Sequence, residues 1–139
     1  MPTWMIVEDE ADIYEVLVAM FELWGIDHIH FFSGQEAIRW VDEVDSGRAE
    51  GPLPELAVLD IRLPDVDGDQ VSARLRHSPR LGNIGIVMIT AYRLRPAEEE
   101  RIMAISGADK LLYKPLPVVY ELRALFDQVL AARQRAPRQ

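Results

Sequence analysis

The 139-residue chain contains no cysteine. Disulfides and thiolate metal sites are therefore excluded, and the composition suits a reducing compartment such as the cytoplasm. Lysine is nearly absent too, with Lys110 and Lys114 standing against 13 arginines. A lysine kept in such a chain points to a role for a compact point charge. No apolar run approaches the roughly 20 residues that a membrane span needs, so no membrane association is expected. Met1 to Val7 lacks a basic region and runs straight into acids, unlike a signal peptide. There is no internal repeat and no low-complexity stretch. Excess positive charge is also missing: 23 acids outnumber 15 bases, for a net charge of -8. A body this negative repels phosphodiester backbones, so direct nucleic-acid binding by this chain is not expected.

What is present reads as one ordinary soluble domain, 49% hydrophobic and long enough to bury a core. Thr3 to Val7 is a short apolar run, read as a buried strand, and it ends at Glu8, Asp9 and Glu10. Ile13, Val16, Leu17, Met20 and Trp24 follow at helical spacing, with Gly25 as a stop. Ile29 to Phe32 is a second strand, and Ser33-Gly34-Gln35-Glu36 then fits a capping box ahead of a helix through Ala37, Ile38, Val41 and Val44. After a loop from Asp45 to Pro54, Leu56 to Leu59 forms a third strand that delivers Asp60. Leu63 to Gly68 is a turn, and Val71 and Leu75 mark a third helix. Ile84 to Thr90 is a fourth strand. Pro96 suits the first position of a fourth helix and Gly107 its cap. Leu111 to Tyr113 is a fifth strand, and Leu122, Leu125, Phe126 and Val129 give the last helix its buried face. Five strands alternating with five helices predict an α/β fold with one doubly wound parallel sheet. The expected domain covers residues 3–132. Residues 133–139, with three arginines and no acid, read as a basic tail or linker stub.

In an open α/β sheet, ligands bind beyond the carboxyl ends of the strands. Glu8 and Asp9 follow the first strand, Asp60 ends the third, Thr90 ends the fourth, and Lys114 follows the fifth. If the first and third strands are neighbours, three carboxylates converge. Such a cluster raises the pKa of its own members and calls for a cation. Hard oxygen donors of this kind suit magnesium, which takes one or two carboxylates and a phosphate while keeping waters. Singly, each residue has an ordinary explanation: Glu8 and Asp9 as helix-capping acids, Asp60 as a turn residue, Thr90 as strand and Lys114 as a solvated charge. The joint pattern carries the reading, because each of four strands delivers a suitable group at one edge of the sheet.

At these residues the chain resembles the response-regulator receiver family, which has a flavodoxin-like fold. The motifs are Ile6-Val7-Glu8-Asp9-Glu10 and Val58-Leu59-Asp60-Ile61-Arg62-Leu63-Pro64-Asp65-Val66-Asp67-Gly68, followed by Ile89-Thr90-Ala91, Gly107-Ala108-Asp109 and Lys114-Pro115. The resemblance implies a strand order of 2-1-3-4-5 and makes Asp60 the phosphoacceptor, charged by a sensor histidine kinase or phosphotransfer protein. Asp9 would bind magnesium directly, Glu8 through water, and the Arg62 backbone carbonyl would complete the protein ligands. Thr90 and Lys114 would hold the phosphoryl oxygens, and Lys114-Pro115 would be cis. The switching surface, with a possible homodimer, would be the fourth helix, fifth strand and fifth helix.

The chain departs from the family at Leu111, where the usual residue is Tyr or Phe, a ring that swings behind the threonine on activation. The resemblance also implies that Arg62 and Tyr92 would flank the phosphoryl group, and both are large and suited to stacking. Two other readings compete. A haloacid-dehalogenase-type phosphatase would carry a second acid where Arg62 stands. A pseudo-receiver, an interaction domain not controlled by phosphorylation, would not need the intact set Glu8, Asp9, Asp60, Thr90 and Lys114. The chain reads either as a stand-alone regulator or as the receiver piece of a longer protein.

Overall fold

Parallel strands cannot be joined by a tight turn, so each connection here is long enough to form a helix that covers one face of the sheet. The computed structural model describes residues 1–135. Its elements alternate as β1 (Thr3–Val7), α1 (Ala11–Trp24), β2 (Asp27–Phe31), α2 (Gly34–Asp45), β3 (Leu56–Asp60), α3 (Gly68–His77), β4 (Gly85–Thr90), α4 (Pro96–Ser106), β5 (Lys110–Tyr113) and α5 (Val119–Arg135). The strands form one parallel sheet in the order β2-β1-β3-β4-β5, as the resemblance implied. β1 and β3 are therefore neighbours, and Val7 pairs with Leu59. That register brings Glu8, just beyond β1, beside Asp60, the last residue of β3.

Period-two alternation divides β1 between two cores. Met5 and Val7 face α2 and α3, alongside Val41, Val44, Val71 and Leu75. Trp4 and Ile6 face α1 and α5, alongside Leu17, Phe21, Leu122 and Phe126. The Trp4 ring meets Phe21 and Phe126 edge-on, both at 87°, and its indole N–H donates to Glu55 Oε1 at 3.0 Å. Burying such an aromatic contributes about 2–3 kcal/mol, and the hydrogen bond removes the cost of an unpaired buried donor.

Most element ends fall where local chemistry places them. Gly25 and Gly107 adopt the left-handed backbone that closes α1 and α4. Ser33 Oγ accepts from Glu36 N–H, as the capping box requires, but the Glu36 carboxylate receives the Phe32 N–H, one residue earlier than expected. β2 begins at Asp27 and stops at Phe31 because it pairs along the full length of β1, from Thr3 to Val7. The Lys114-Pro115 peptide is cis.

The expected tail differs. α5 continues through Arg135, and Arg133 donates to Asp109 Oδ1 from Nε at 2.8 Å, with Nη2 at 2.7 Å from the same oxygen. Asp109 also receives Arg76 and the Ile86 N–H. A boundary at residue 132 therefore cuts through a helix whose next turn is paired to the α4–β5 junction. The rest of the expected tail, 136–139, lies outside the described residues.

Candidate functional site

Every group singled out at a strand end lies on the same edge of the sheet. Asp60 closes β3 and is almost fully buried, as is Thr90 at the end of β4. Glu8 is the first residue beyond β1 and is fully buried, while Asp9 is exposed. Carboxylate oxygens of Glu8, Asp9 and Asp60 all lie within 4.8 Å of one another. Gly68 lets the β3–α3 turn fold back over the site, since a β-carbon there would collide with the Asp60 carbonyl oxygen.

Lys114 enters this cluster from beyond β5. Its ammonium is 2.8 Å from Asp60 Oδ2 and 3.2 Å from both Glu8 Oε1 and Glu10 Oε1. The Lys114 backbone is fixed as well, because its N–H donates to the Thr90 carbonyl at 2.8 Å. The other Asp60 oxygen accepts the Arg62 N–H at 2.9 Å. Thr90 Oγ1 accepts from Tyr92 N–H at 3.1 Å.

Three carboxylates beside one ammonium leave the pocket short of positive charge. Burial, reinforced by the facing Asp60 carboxylate, pushes the Glu8 carboxyl up to about 8, against the pull of the Glu10 N–H and Lys114. Burial acts on Lys114 in the opposite direction, but the Asp60 and Glu8 carboxylates outweigh it and raise its pKa. Glu8 Oε1 is buried and receives no properly directed hydrogen bond, although Lys114 Nζ is 3.2 Å away. An orphaned buried carboxylate oxygen among hard oxygen donors is what a magnesium-binding pocket provides. The residues present therefore fit that ion.

The remaining residues foreseen from sequence are placed around the rim. The Arg62 guanidinium lies over the Tyr92 ring, 4.8 Å from its centroid, and both side chains are exposed. Leu111, paired with Met88 in the sheet, is partly buried against the core under α2 and α3. Tyr113 is not at the Leu111 position, and its ring is capped by Arg93 at 5.2 Å.

Sequence reasoning missed three participants. Glu10 is the third carboxylate on Lys114. Asp65 accepts from Gly34, Gln35 and Val66 N–H, tying the β3–α3 turn to the start of α2. Those donors, Val66 first, hold its pKa down. His30 places Nε2 2.9 Å from the Glu8 carbonyl oxygen. The signal for it was faint: two histidines, His28 and His30, alternating along one strand.

The sequence profile of the response regulator receiver domain matches residues 4–126. The chain is 34% identical over 137 residues to the phosphate regulon transcriptional regulatory protein PhoB of Rhizobium meliloti, covering 98% of this chain and 54% of that one. It thus spans about half the length of that relative. It is 32% identical to the polar-differentiation response regulator DivK of Brucella ovis, covering 82% of this chain and 85% of DivK. In structure it is similar to a CheY-like response regulator receiver domain from Methanospirillum hungatei, with a TM-score of 0.79 over 97% of this chain and 98% of that one, at 20% identity. With the profile spanning both cores and every strand-end motif, the chain belongs to the response-regulator receiver family.

Proposed function

We propose that this receiver domain accepts a phosphoryl group on Asp60 from a phosphohistidine of a sensor histidine kinase or phosphotransfer protein. The observation that carries the reading is one buried carboxylate, Asp60, held between an ammonium and two further acids at the end of a central strand. Asp9 and Asp60 would hold magnesium with the Arg62 carbonyl, and Glu8 would hold it through water. Bound there, the ion would supply charge neutralisation for the carboxylates and the incoming phosphoryl oxygens. A carboxylate oxygen of Asp60 forms the new O–P bond as the P–N bond of the donor breaks, and the electron pair returns to the imidazole nitrogen. Lys114, 2.8 Å from Asp60 Oδ2, orients that carboxylate and pairs with the phosphoryl oxygens. The Thr90 hydroxyl donates to one of them. The domain catalyses its own phosphorylation and slow dephosphorylation, acts in the cytoplasm, and binds neither membrane nor nucleic acid through this chain.

Incubation with magnesium and acetyl phosphate tests the reading. We expect one phosphoryl group per chain that persists after the donor is removed. Continuous turnover without a persistent adduct would indicate a phosphatase, and no uptake would indicate a pseudo-receiver.

Phosphorylation is proposed to switch the surface of α4, β5 and α5, where a homodimer or another partner binds. Thr90 and Lys114 both lead into it, and a coupling of only about 1–3 kcal/mol suffices. With Leu111 in place of a ring, the expected response is a shift of the β4–β5 backbone. On addition of beryllofluoride, amide chemical shifts should change along Lys110–Tyr113. Changes confined to the acidic pocket would contradict the coupling.

Arg62 and Tyr92 are proposed to shield the phosphoryl group from water. Hydrolysis needs a water in line with the O–P bond, and neither side chain is a base suited to activating one. An exposed guanidinium–ring stack is worth about 0.5–1 kcal/mol, so Arg62→Ala or Tyr92→Ala should hasten loss of label about two- to fivefold. If the pair acts as one lid, either substitution already removes it and the double variant should lose label no faster than the faster single variant, whereas side chains acting alone should give the product of the two effects. Equal rates in wild type and all variants would show that no lid exists.

A further inference from the structure

We propose that His30 is a positioning residue for Glu8 and Asp9, its imidazole Nε2–H holding the Glu8 carbonyl and thereby setting the peptide that presents both acids. The inference rests on the magnesium reading of that loop.

His30 lies on β2, an edge strand, and reaches across to the loop after β1. A carbonyl oxygen only accepts, so the ring nitrogen 2.9 Å from it must carry the hydrogen. The ring is clamped on two sides. Tyr14 stacks on it at 3.7 Å and 16°, and Phe32 meets it edge-on at 4.1 Å. Tyr14 comes from the first turn of α1, which begins three residues after Glu8. The clamp therefore joins β2 to the helix that the Glu8–Asp9 loop enters.

The geometry gives this hydrogen bond leverage. The Glu8 N–H already donates to the Phe31 carbonyl at 3.1 Å, continuing the β1–β2 ladder. The Glu8 carbonyl lies one step beyond that ladder, and the His30 Nε2–H is what donates to it. Because the peptide is planar, fixing the Glu8 C=O also fixes the Asp9 N–H and the direction in which the Asp9 chain leaves. Asp9 is exposed, just ahead of α1 and outside both cores. Its place within 4.8 Å of Glu8 and Asp60 thus depends on the backbone.

Two substitutions separate hydrogen bond from packing. His30→Phe keeps a stacking ring and loses the N–H, whereas His30→Gln keeps an amide N–H of similar reach and loses the ring. Magnesium affinity is measured by calorimetry, melting temperature in excess chelator, and ring tautomer by nitrogen-15 NMR of the metal-free protein. We expect His30→Phe to weaken magnesium binding about tenfold, the lower end for outer-shell partners of a metal site, while His30→Gln recovers most of it. The wild-type spectrum should show the hydrogen on Nε2. Wild-type affinity in His30→Phe, or the hydrogen on Nδ1, would overturn the proposal. So would equal weakening in both variants accompanied by equal loss of metal-free stability, because the ring would then act through packing alone. A wild type that binds no magnesium would overturn the metal reading instead, with the ring-nitrogen spectrum still deciding the hydrogen bond.

Discussion

Asp60→Asn should take up no phosphoryl group from acetyl phosphate and still fold. The amide has the shape of the carboxylate but no negative oxygen with which to attack phosphorus. Its remaining oxygen can still accept the Arg62 N–H, which holds Asp60 in place at 2.9 Å. Lys114 loses one partner but retains Glu8 and Glu10, each at 3.2 Å. The substitution also removes a like charge facing Glu8, one of the causes that raise the Glu8 pKa. Lost attraction and relieved repulsion oppose each other, so the expected change in metal-free stability is within about 1 kcal/mol. Intact-mass measurement and a thermal melt read the two halves. A variant that still gains one phosphoryl group would remove Asp60 from its role.

Lys114→Met should destabilise the metal-free protein by about 3 kcal/mol near pH 8, the range expected when one partner of a buried charge cluster is removed. Methionine keeps the apolar stem and deletes the ammonium, which is the only cation within reach of Glu8 and Asp60 among the described residues. The pH dependence carries a sharper signature. Glu8 titrates near 4.5 when unfolded and near 8 in the fold. The stability tied to its proton is fully present below about pH 4.5 and is lost as pH rises through about 8. Metal-free wild type should therefore be less stable at pH 8 than at pH 6, with the decline levelling off above pH 8. Without the ammonium, Glu8 holds its proton to still higher pH, so the variant should continue to lose up to about 1.4 kcal/mol per pH unit beyond that point. Magnesium should flatten the wild-type profile. Denaturant unfolding at several pH values measures all of this. Parallel profiles for wild type and variant would mean that Lys114 and Glu8 are not coupled.

The parts of this molecule that were legible in its sequence are those governed by local rules. Apolar runs ending on Glu8, Asp60 and Thr90 mark strands whose last residues point at a shared edge. Pro96 and Gly107 bracket a helix for reasons internal to it. The strand order came from the family motifs, because periodicity alone does not say which strands are neighbours.

What was illegible depends on partners far away in the chain. Arg133 looks like part of a basic tail until Asp109, 24 residues earlier, is seen to receive it. Glu10 resembles the other acids before α1, and only the fold brings Lys114, 104 residues away, to it. His30 could be counted as an edge-strand residue, but its hydrogen bond follows from the β1–β2 register, in which it pairs with Ile6 and reaches the residue just beyond Val7.

The most direct test of the account locates the phosphoryl group. Wild-type protein is treated with acetyl phosphate, with magnesium or with excess chelator, and then with borohydride, which reduces an aspartyl phosphate to homoserine. Peptide mass spectrometry reads the position of the change. The account predicts homoserine at residue 60 with magnesium and none with chelator. Homoserine at residue 9 or 65 instead, or the same yield at residue 60 without magnesium, would contradict it.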